Sequence, residues 1–301
     1  MKSLSIITPT FNRVGLLPRC YESLRAQTCD DFEWVIIDDG SMDGTKELVE
    51  KWIGDPERTI TIDYHWKENG GKHTALNASH AYIHGKYVLI LDSDDYLTPT
   101  AVETVCNTWN EFYSDKQIGC ISFYKALEDG TIVSKQIKSH VVSDHISFRV
   151  NQKSGGDQCE TVRSEYFKEF IFPVYPGERF ISEGLLWNHI GYNYKTVYCN
   201  ESIYICEYLP DGISKSGRTL LMRNPKGMIA LTKTYFDARV CMKIRIKETW
   251  LYIVYSLCDK RLYRTIIADS GQQLLTASQL PVGMCLYYYW KKKHLRGKND
   301  S

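Results

Sequence analysis

The cysteines of this chain lack the spacing of a metal or disulfide framework. The 301 residues include ten cysteines, and no two of them form a Cys-x-x-Cys pair. Structural zinc sites and redox motifs commonly use such close pairs, so neither is expected here. We also expect no secretory signal, because Met1-Lys2-Ser3-Leu4 leads directly into a short strand-like segment. We therefore expect reduced thiols and a cytoplasmic location.

Long apolar runs are missing as well. No window reaches about 18 consecutive apolar residues, which a membrane-spanning helix would need. The composition is that of an ordinary globular protein, with 43% hydrophobic and 24% charged residues. A chain of this length can form one large domain or two smaller ones. The sequence thus predicts a folded protein without a membrane span.

Charge is unevenly distributed along the chain. Residues 1–212 carry 20 Lys/Arg and 31 Asp/Glu, a net charge of −11, whereas residues 213–301 carry 17 and 5, a net charge of +12. A basic region of this kind favours an anionic partner, either nucleic acid or the inner face of a membrane. The basic residues accompany no motif that reads bases, so we do not expect a nucleic-acid partner.

Apolar strand-like runs alternate with helical patterns over the first hundred residues. The predicted strands are 4–10, 32–37, 59–65 and 87–91, and the predicted helices are 16–27, 45–52 and 73–84. This alternation indicates βαβ units on a parallel sheet, with the carboxyl ends of the strands at one edge. The segments Thr8–Arg13, Asp38–Ser41 and Asp92–Asp95 should meet there. Pro9 should end the pairing of the first strand.

The remaining pattern is less regular. A helix is predicted over 101–112, a strand over 118–124, and a final pair of strands over 195–198 and 203–208. We therefore predict an α/β fold with a mixed, mainly parallel sheet flanked by helices over 1–212, with halves 1–97 and 98–212. A basic, mostly helical C-terminal region should follow over 213–301.

Three carboxylates follow the fourth predicted strand within four residues, in Asp92-Ser93-Asp94-Asp95. Carboxylates this close repel one another unless a cation joins them, and Mg²⁺ and Mn²⁺ prefer oxygen ligands. Asp and Ser are also ordinary residues of turns and helix caps. From these residues alone, a metal site and a capped turn are equally good interpretations.

Four stretches of the chain form a more specific pattern. They are Ser5–Arg13, Val35–Thr45, Asn69–Lys72 with Leu76-Asn77, and Leu91–Asp95. In this order and spacing they resemble the nucleotide-sugar-binding half of a family 2 glycosyltransferase with the GT-A (Rossmann-like) fold. The resemblance implies an inverting transferase with a UDP-sugar donor, and it favours the metal interpretation of the acidic stretch, with Mn²⁺ or Mg²⁺ as cofactor.

The resemblance also implies roles for individual residues. Asp39 would accept a hydrogen bond from the uracil N–H, because an ionised carboxylate only accepts. Lys72, after two glycines at a helix start, would bind the diphosphate. An ordinary turn aspartate and a solvated lysine are the alternatives. The residues assigned to the nucleotide sugar are Thr8, Pro9, Asn12, Arg13, Asp39, Lys72, Asp92 and Ser93, and those assigned to the metal are Asp94 and Asp95.

The predicted general base lies just before an apolar helix. The resemblance places a Glu-Asp pair here in inverting relatives, and a carboxylate of that pair removes the proton of the acceptor hydroxyl. This chain has Glu183 followed by Gly184, so Glu183 is the predicted base and Glu178 is the second choice. A role of Glu183 at the helix N-terminus is the alternative.

The C-terminal region suggests where the protein works. Leu286–His294 combines aromatic residues with lysines, which fits a helix lying in the interface of an anionic membrane; a packed helix with a solvated basic tail is the alternative. Peripheral attachment would suit a glycan or lipid-linked saccharide acceptor in surface polysaccharide biosynthesis. Upstream, Asp211, Ser214 and Lys215 belong either to a loop that closes over the donor or to an ordinary surface loop.

Three other functions are weighed against this one. Processive polymerases of the family resemble the chain less, because they carry a Gln-x-x-Arg-Trp motif and transmembrane helices. Sugar-phosphate nucleotidyltransferases typically have a Gly-rich basic loop after the first strand, where this chain has Thr8–Arg13. A non-catalytic nucleotide-sugar-binding protein stays open, because Gly184 replaces the usual Asp. We therefore predict a metal-dependent, non-processive transferase.

Overall fold

The computed structural model describes residues 2–137, 140–152, 154, 156–207 and 213–295, without the side chains of 213–216 and 295. The chain forms two compact units. The first comprises Met1–Arg149, Lys153–Phe172 and His189–Glu207, and the second comprises Val150–Gln152, Pro173–Asn188 and Tyr208–Ser301. The division into halves at residue 97 and the boundary at residue 212, which lies outside the described residues, remain predictions.

A mixed sheet forms the centre of the first unit. Its described strands are β1 (Leu4–Thr10), β2 (Phe32–Asp38), β3 (Thr61–Trp66), β4 (Tyr87–Ile90), β5 (Tyr96–Leu97), β6 (Ile118–Ala126), β7 (Val141–Asp144), β8 (Gln158–Arg163) and β9 (Lys195–Ile205). The order is β3-β2-β1-β4-β8-β6-β9-β5, with β7 also paired to β9. Strands β1 to β4 are parallel, and β8 is antiparallel to both β4 and β6. The predicted fold class is confirmed.

Helices cover the sheet, and others form the second unit. The α-helices of the described residues are α1 (Leu17–Arg25), α2 (Thr45–Ile53), α3 (Lys72–Ser79), α4 (Ala101–Glu111), α5 (Ser164–Lys168), α6 (Gly184–Asn193), α7 (Ile213–Arg223), α8 (Pro225–Thr234), α9 (Met242–Cys258), α10 (Tyr263–Ala268) and α11 (Gln273–Trp290), and two short π-helical segments cover Ile146–Asn151 and Lys291–Leu295. In the first unit, Tyr21 of α1 stacks on Trp52 of α2, with 4.2 Å between ring centroids. Among the helices described, none combines the length and the apolar character that a membrane crossing requires.

Pro9 does not end the pairing of β1, contrary to the expectation. Pairing with β2 continues to Thr10, opposite Asp38. Alternate residues of β1 direct their backbone groups to opposite neighbours: the Thr10 carbonyl accepts from Asp39 N (2.8 Å), and the Ile7 carbonyl accepts from Leu91 N (2.9 Å). Pro9 therefore points to the β4 side, beyond the last pair Ile7–Ile90, where no ladder donor is needed.

The last two predicted strands are one strand, so that prediction is wrong. The polar stretch at Asn200 and Glu201, which suggested a turn, lies inside β9. Opposite it, Ser122 pairs with Tyr198 and Tyr124 pairs with Ser202, so extra residues of β9 bulge out between these pairs. A bulge accommodates such residues without ending the strand.

Strand β8 was not expected, because its sequence is polar. Three of its polar side chains, those of Gln158, Thr161 and Arg163, are buried with specific partners. Thr161 accepts from the Trp109 indole (2.9 Å), and Ser122 donates to Gln158 (2.7 Å). Arg163 donates to four backbone carbonyls, those of Phe112, Tyr113, Asp115 and Ile118. Hydrogen bonding therefore satisfies these groups in a central strand.

Gly85, which precedes β4, gives a test of this packing. A Cβ atom at Gly85 would lie 2.6 Å from the Ser5 backbone nitrogen, so Gly85→Ala should force the backbone of β1 and β4 apart. We expect the free energy of unfolding to fall by about 1–3 kcal/mol, as measured by urea denaturation. Gly15→Ala is the matched control, since no atom lies within 4 Å of its added Cβ. Equal stability of the two variants would contradict the close approach.

Candidate active site

The loops that follow β1 and β2 are joined at the predicted edge of the sheet. Asn12 N donates to Ser41 Oγ (2.8 Å), and Met42 N donates back to Asn12 Oδ1 (2.9 Å). Asn12 takes a left-handed conformation with φ of 52°, which asparagine tolerates better than most residues. Arg13 N donates to Thr45 Oγ1 at 3.3 Å. The predicted meeting of these two segments is thus seen.

Asp39 ties the end of β2 to the turn before α3. Its Oδ1 accepts from Lys67 Nζ (2.6 Å) and Gly70 N (3.0 Å), and its Oδ2 accepts from Gly71 N (2.6 Å). The Asn69 amide donates to the Asp39 carbonyl at 2.8 Å. Each carboxylate oxygen has room for about two hydrogen bonds. Oδ2 can therefore accept one more donor, such as an imide N–H, without giving up its partner.

Thr8 and Pro9 are both buried in β1. The Thr8 hydroxyl accepts a hydrogen bond from the Trp34 indole at 2.8 Å inside the core. The side chain of Thr8 is thus engaged away from solvent, so a contact with a nucleotide would have to use its backbone. Ser93, in the acidic stretch, is also buried.

Lys72 and Asp92 form an ion pair between the start of α3 and the end of β4. Burial alone would raise the pKa of Asp92, but the charges of Lys72 and Lys125 outweigh it and hold the pKa below its usual value. Asp92 N also donates to the Tyr204 hydroxyl at 3.0 Å. Asp92 is therefore ionised and already has cationic partners.

Asp94 and Asp95 have raised pKa values. Burial, followed by the charge of Asp92, raises the pKa of Asp94, whereas Arg13 acts in the opposite direction. The same two causes raise the pKa of Asp95 to about 6. Asp95 Oδ2 accepts from the Tyr204 hydroxyl (2.8 Å), and Oδ1 accepts from Glu207 N (3.0 Å). The repulsion among the three acids is thus only partly relieved.

The segment of the predicted base lies in the second unit. Glu178 accepts from Lys226 N (2.8 Å) and Gly227 N (2.9 Å), so it caps the N-terminus of α8. Glu183 is half-buried immediately before α6, and its carbonyl accepts from Trp187 N at 3.1 Å. A Cβ at Gly184 would lie 3.1 Å from Leu231 Cδ1. A side chain at 184 therefore meets α8.

The predicted loop cannot be placed. Asp211 lies outside the described residues, and so do the side chains of Ser214 and Lys215. Their possible role in covering the donor stays a prediction.

Comparison with known families identifies the chain. A sequence profile described as Glycosyl transferase family 2 matches residues 5–161, which is more than half of the chain. The chain belongs to this family. The matched range includes the loops after β1 and β2, Lys72 and the acidic stretch.

Curated relatives of this family 2 glycosyltransferase match part of its length. A chondroitin synthase of Pasteurella multocida is 39% identical over 118 residues, which are 39% of this chain and 12% of that protein. A GalNAc(5)-diNAcBac-PP-undecaprenol beta-1,3-glucosyltransferase of Campylobacter jejuni is 34% identical over 124 residues, covering 40% of this chain and 39% of that protein. The chain thus spans well under half the length of these relatives.

Solved structures share the fold over nearly the whole chain. S. aureus TarS 1-349 in complex with UDP-GlcNAc has a TM-score of 0.55 and 15% sequence identity, covering 98% of this chain and 93% of that one. The mannosyltransferase PcManGT from Pyrobaculum calidifontis, in complex with GDP-Man and Mn²⁺, has a TM-score of 0.57 and 18% identity, covering 97% and 84%. At these identities the likeness concerns the GT-A fold.

Two residues beside the acidic stretch, Lys125 and Tyr204, were not found from the sequence. The Lys125 ammonium, at the carboxyl end of β6, lies 4.0 Å from the centroid of the Tyr204 ring. Burial lowers the pKa of Lys125. Asp92 and other neighbouring anionic groups raise it by more than burial lowers it, so the pKa of Lys125 is above its usual value. A lysine near the end of a mostly apolar strand, Ile118–Ala126, is the signal that could have indicated Lys125.

The raised pKa of Asp95 predicts a pH-dependent stability. An unfolded aspartate titrates near 3.8 and folded Asp95 titrates near 6, so raising the pH through this interval deprotonates the unfolded state first and lowers the free energy of unfolding. Asp95→Asn removes the titrating carboxyl group and with it this pH dependence of the free energy of unfolding. Relative to wild type, the variant should gain about 2 kcal/mol between pH 4 and pH 7.

This difference is measured by urea denaturation across pH with EDTA present. Glu128→Gln, at an exposed position in the turn after β6, is the control and should follow the wild-type profile. Parallel profiles for Asp95→Asn and wild type would contradict the raised pKa.

Proposed function

We propose that this glycosyltransferase moves a single sugar from a UDP-sugar to a hydroxyl acceptor, with inversion. The observation that carries the proposal is the acidic stretch at the end of β4, which faces Lys72 and lies at the same sheet edge as Asp39. The acceptor is a glycan or a lipid-linked saccharide. A lipid-linked acceptor is supported by the name of the Campylobacter relative, which contains undecaprenol. A UDP-sugar donor is supported by the UDP-GlcNAc complex of TarS.

The donor would be held by groups that the fold has already ordered. Asp39 Oδ2 accepts the uracil N–H, while its other bonds keep the turn at Gly70 and Gly71 in place. The backbone of Thr8 and Pro9, together with Asn12 and Arg13, borders the base and ribose. Lys72 and the N-terminus of α3 meet the diphosphate, where a positive charge and exposed N–H groups are favourable. Asp92 and Ser93 complete the donor site.

The residues present fit a divalent cation. Asp94 and Asp95 offer oxygen ligands, and the raised pKa of both shows that additional positive charge there would be stabilising. Asp94 is the better ligand, because both oxygens of Asp95 already accept hydrogen bonds. A bound Mn²⁺ or Mg²⁺ would act as a Lewis acid that stabilises the charge of the leaving diphosphate.

The acceptor is activated by Glu183. Its carboxylate takes the proton of the acceptor hydroxyl while the oxygen forms a bond to the anomeric carbon and the bond from that carbon to the diphosphate oxygen breaks. Attack from the face opposite UDP inverts the configuration, through an oxocarbenium-like transition state. UDP leaves, and one sugar has been added. Glu178 is not chosen as base because it caps α8.

The site of action proposed for the enzyme is the cytoplasmic side of a membrane. Residues 213–301 carry a net charge of +12, which favours an anionic lipid surface. A lipid-linked acceptor would be presented at that surface.

A second candidate function is nucleotide-sugar binding without transfer. It is favoured by Gly184, because this position lacks the carboxylate expected in inverting relatives. A Cβ atom there would lie 3.1 Å from Leu231 Cδ1, which leaves little room for a larger side chain. The intact acidic stretch argues against it, since binding alone does not require a metal on the leaving group.

Donor screening with Asp94→Asn tests the metal site. Wild type should release UDP from at least one UDP-sugar with Mn²⁺ or Mg²⁺, and both EDTA and Asp94→Asn should lower the rate by about 10²-fold or more. Mn²⁺ should also raise the melting temperature of wild type but not of Asp94→Asn. Full activity of the variant in EDTA would overturn the metal role, and no turnover with any donor and acceptor would favour the binding protein.

A pair of glutamate variants tests the base. Glu183→Gln should reduce transfer by about 10²–10⁴-fold with UDP affinity unchanged, because only proton removal is lost. Glu178→Gln should keep kcat but lose about 1.5–3 kcal/mol of stability, since hydrogen bonds to a charged group are lost. UDP release and UDP calorimetry measure the first variant, and urea denaturation measures the second. If Glu183→Gln transfers at the wild-type rate, another group is the base.

The product distinguishes the finer parts of the proposal. Mass spectrometry should show addition of one sugar per acceptor, and the anomeric coupling in the NMR spectrum should be opposite to that of the donor. A ladder of products would contradict single-sugar transfer, and a retained anomer would contradict inversion.

A further inference from the structure

Helix α11 is apolar on two opposite faces. Its inner face packs in the second unit through Thr276, Gly283 and Trp290, and a Cβ at Gly283 would lie 2.6 Å from Ile253 of α9. The exposed residues include a set that we term the outer stripe: Leu274, Ala277, Ser278, Pro281, Val282, Cys285, Tyr288 and Tyr289. At 100° per residue the stripe covers an arc of about 140°, centred opposite the packed face.

The outer stripe is unlike an ordinary solvent-facing helix surface. Leu274 is 91% exposed, Tyr288 58% and Tyr289 57%. From Gln273 to Trp290 the helix carries no Asp, Glu, Lys or Arg. Surface helices of soluble domains normally place charged residues on the side away from the core. An apolar surface of this kind marks an interaction site.

Basic residues adjoin the stripe at one end. Lys291, Lys292 and Lys293 follow α11 directly, and the Lys293 ammonium lies 5.9 Å from the centroid of the Tyr289 ring. Aromatic rings beside lysines suit the boundary between acyl chains and headgroups, since the rings lie at headgroup level and the ammonium groups reach the phosphates.

We propose that the outer stripe and Lys291–Lys293 form a docking surface for an anionic lipid bilayer. The apolar side chains enter the interface, and the lysines bind the anionic headgroups. A second copy of the chain could cover the stripe, but α11 would offer no acidic residue to the lysines. A lipid-linked acceptor, which is part of the proposed function, would explain why the enzyme docks on a membrane. The docking itself rests on the exposed apolar stripe and the lysines.

Vesicle flotation of the full chain tests the surface. Wild type should float with vesicles of phosphatidylcholine containing phosphatidylglycerol, and much less with phosphatidylcholine alone or at high salt. The double variant Leu274→Asn/Val282→Asn should have an affinity for the vesicles lower by about tenfold or more, because it removes two apolar side chains from the interface. Replacing Lys291, Lys292 and Lys293 by Gln should lower binding about 100-fold at low salt.

Met42→Asn is the matched control, because Met42 is as exposed as Leu274 but lies in the first unit. It should float like wild type. Equal binding to neutral vesicles, or wild-type flotation of the stripe variant, would overturn the proposal. So would a wild-type dimer in light scattering that the stripe variant dissociates, since the stripe would then join two copies.

UDP release with a soluble acceptor separates this proposal from the proposed function. Flotation without any UDP release would overturn the transferase assignment and leave the docking surface standing. UDP release without flotation would overturn the docking surface and leave the transferase assignment standing.

Discussion

Mutual repulsion among Asp92, Asp94 and Asp95 is the constraint on which the rest of the site depends. Three carboxylates in four residues cannot all ionise beside one another at low energetic cost. Lys72 from α3 and Lys125 from β6 supply positive charge that stabilises ionised Asp92. The Tyr204 hydroxyl donates a hydrogen bond to Asp95. These groups come from separate parts of the chain. Burial, together with the residual repulsion from Asp92, raises the pKa of Asp94 and Asp95, and a further cation would be favourable beside them.

Residues of the donor site have structural bonds as well as proposed chemical roles. Asp39 orders the turn at Gly70 and Gly71, and Asn12 joins the loops after β1 and β2. These bonds join protein groups to one another, so they would hold the loops in place for the proposed donor and reduce the entropy lost on binding. The same arrangement means that removing either side chain affects the loops as well as the ligand. Binding and folding effects therefore have to be separated by conservative substitutions.

The sequence was sufficient where local pattern decides the structure. Strands β1, β2 and β4 are short runs of mainly apolar or β-branched residues, and the motifs at their ends are recognisable, so this half of the sheet and its edge could be predicted. Strand β8 could not, because Thr161 and Arg163 read as polar and are buried only by partners distant in the chain, such as Trp109 and the carbonyl of Ile118. The role of Lys125 likewise depends on pairing between β6 and β9.

Packing as well as chemistry bears on the absence of an Asp at position 184. Gly184 begins α6 where a Cβ would lie 3.1 Å from Leu231 Cδ1 and 3.2 Å from Ser182 Oγ, so an Asp would require the leucine to move. Between Pro176 and Trp187 the chain has two carboxylates, Glu178 and Glu183. Glu178 accepts two backbone hydrogen bonds at the start of α8, and protonating it would weaken that cap. A base must gain a proton in each cycle, so this cap argues against Glu178, and Glu183 stays the proposed base.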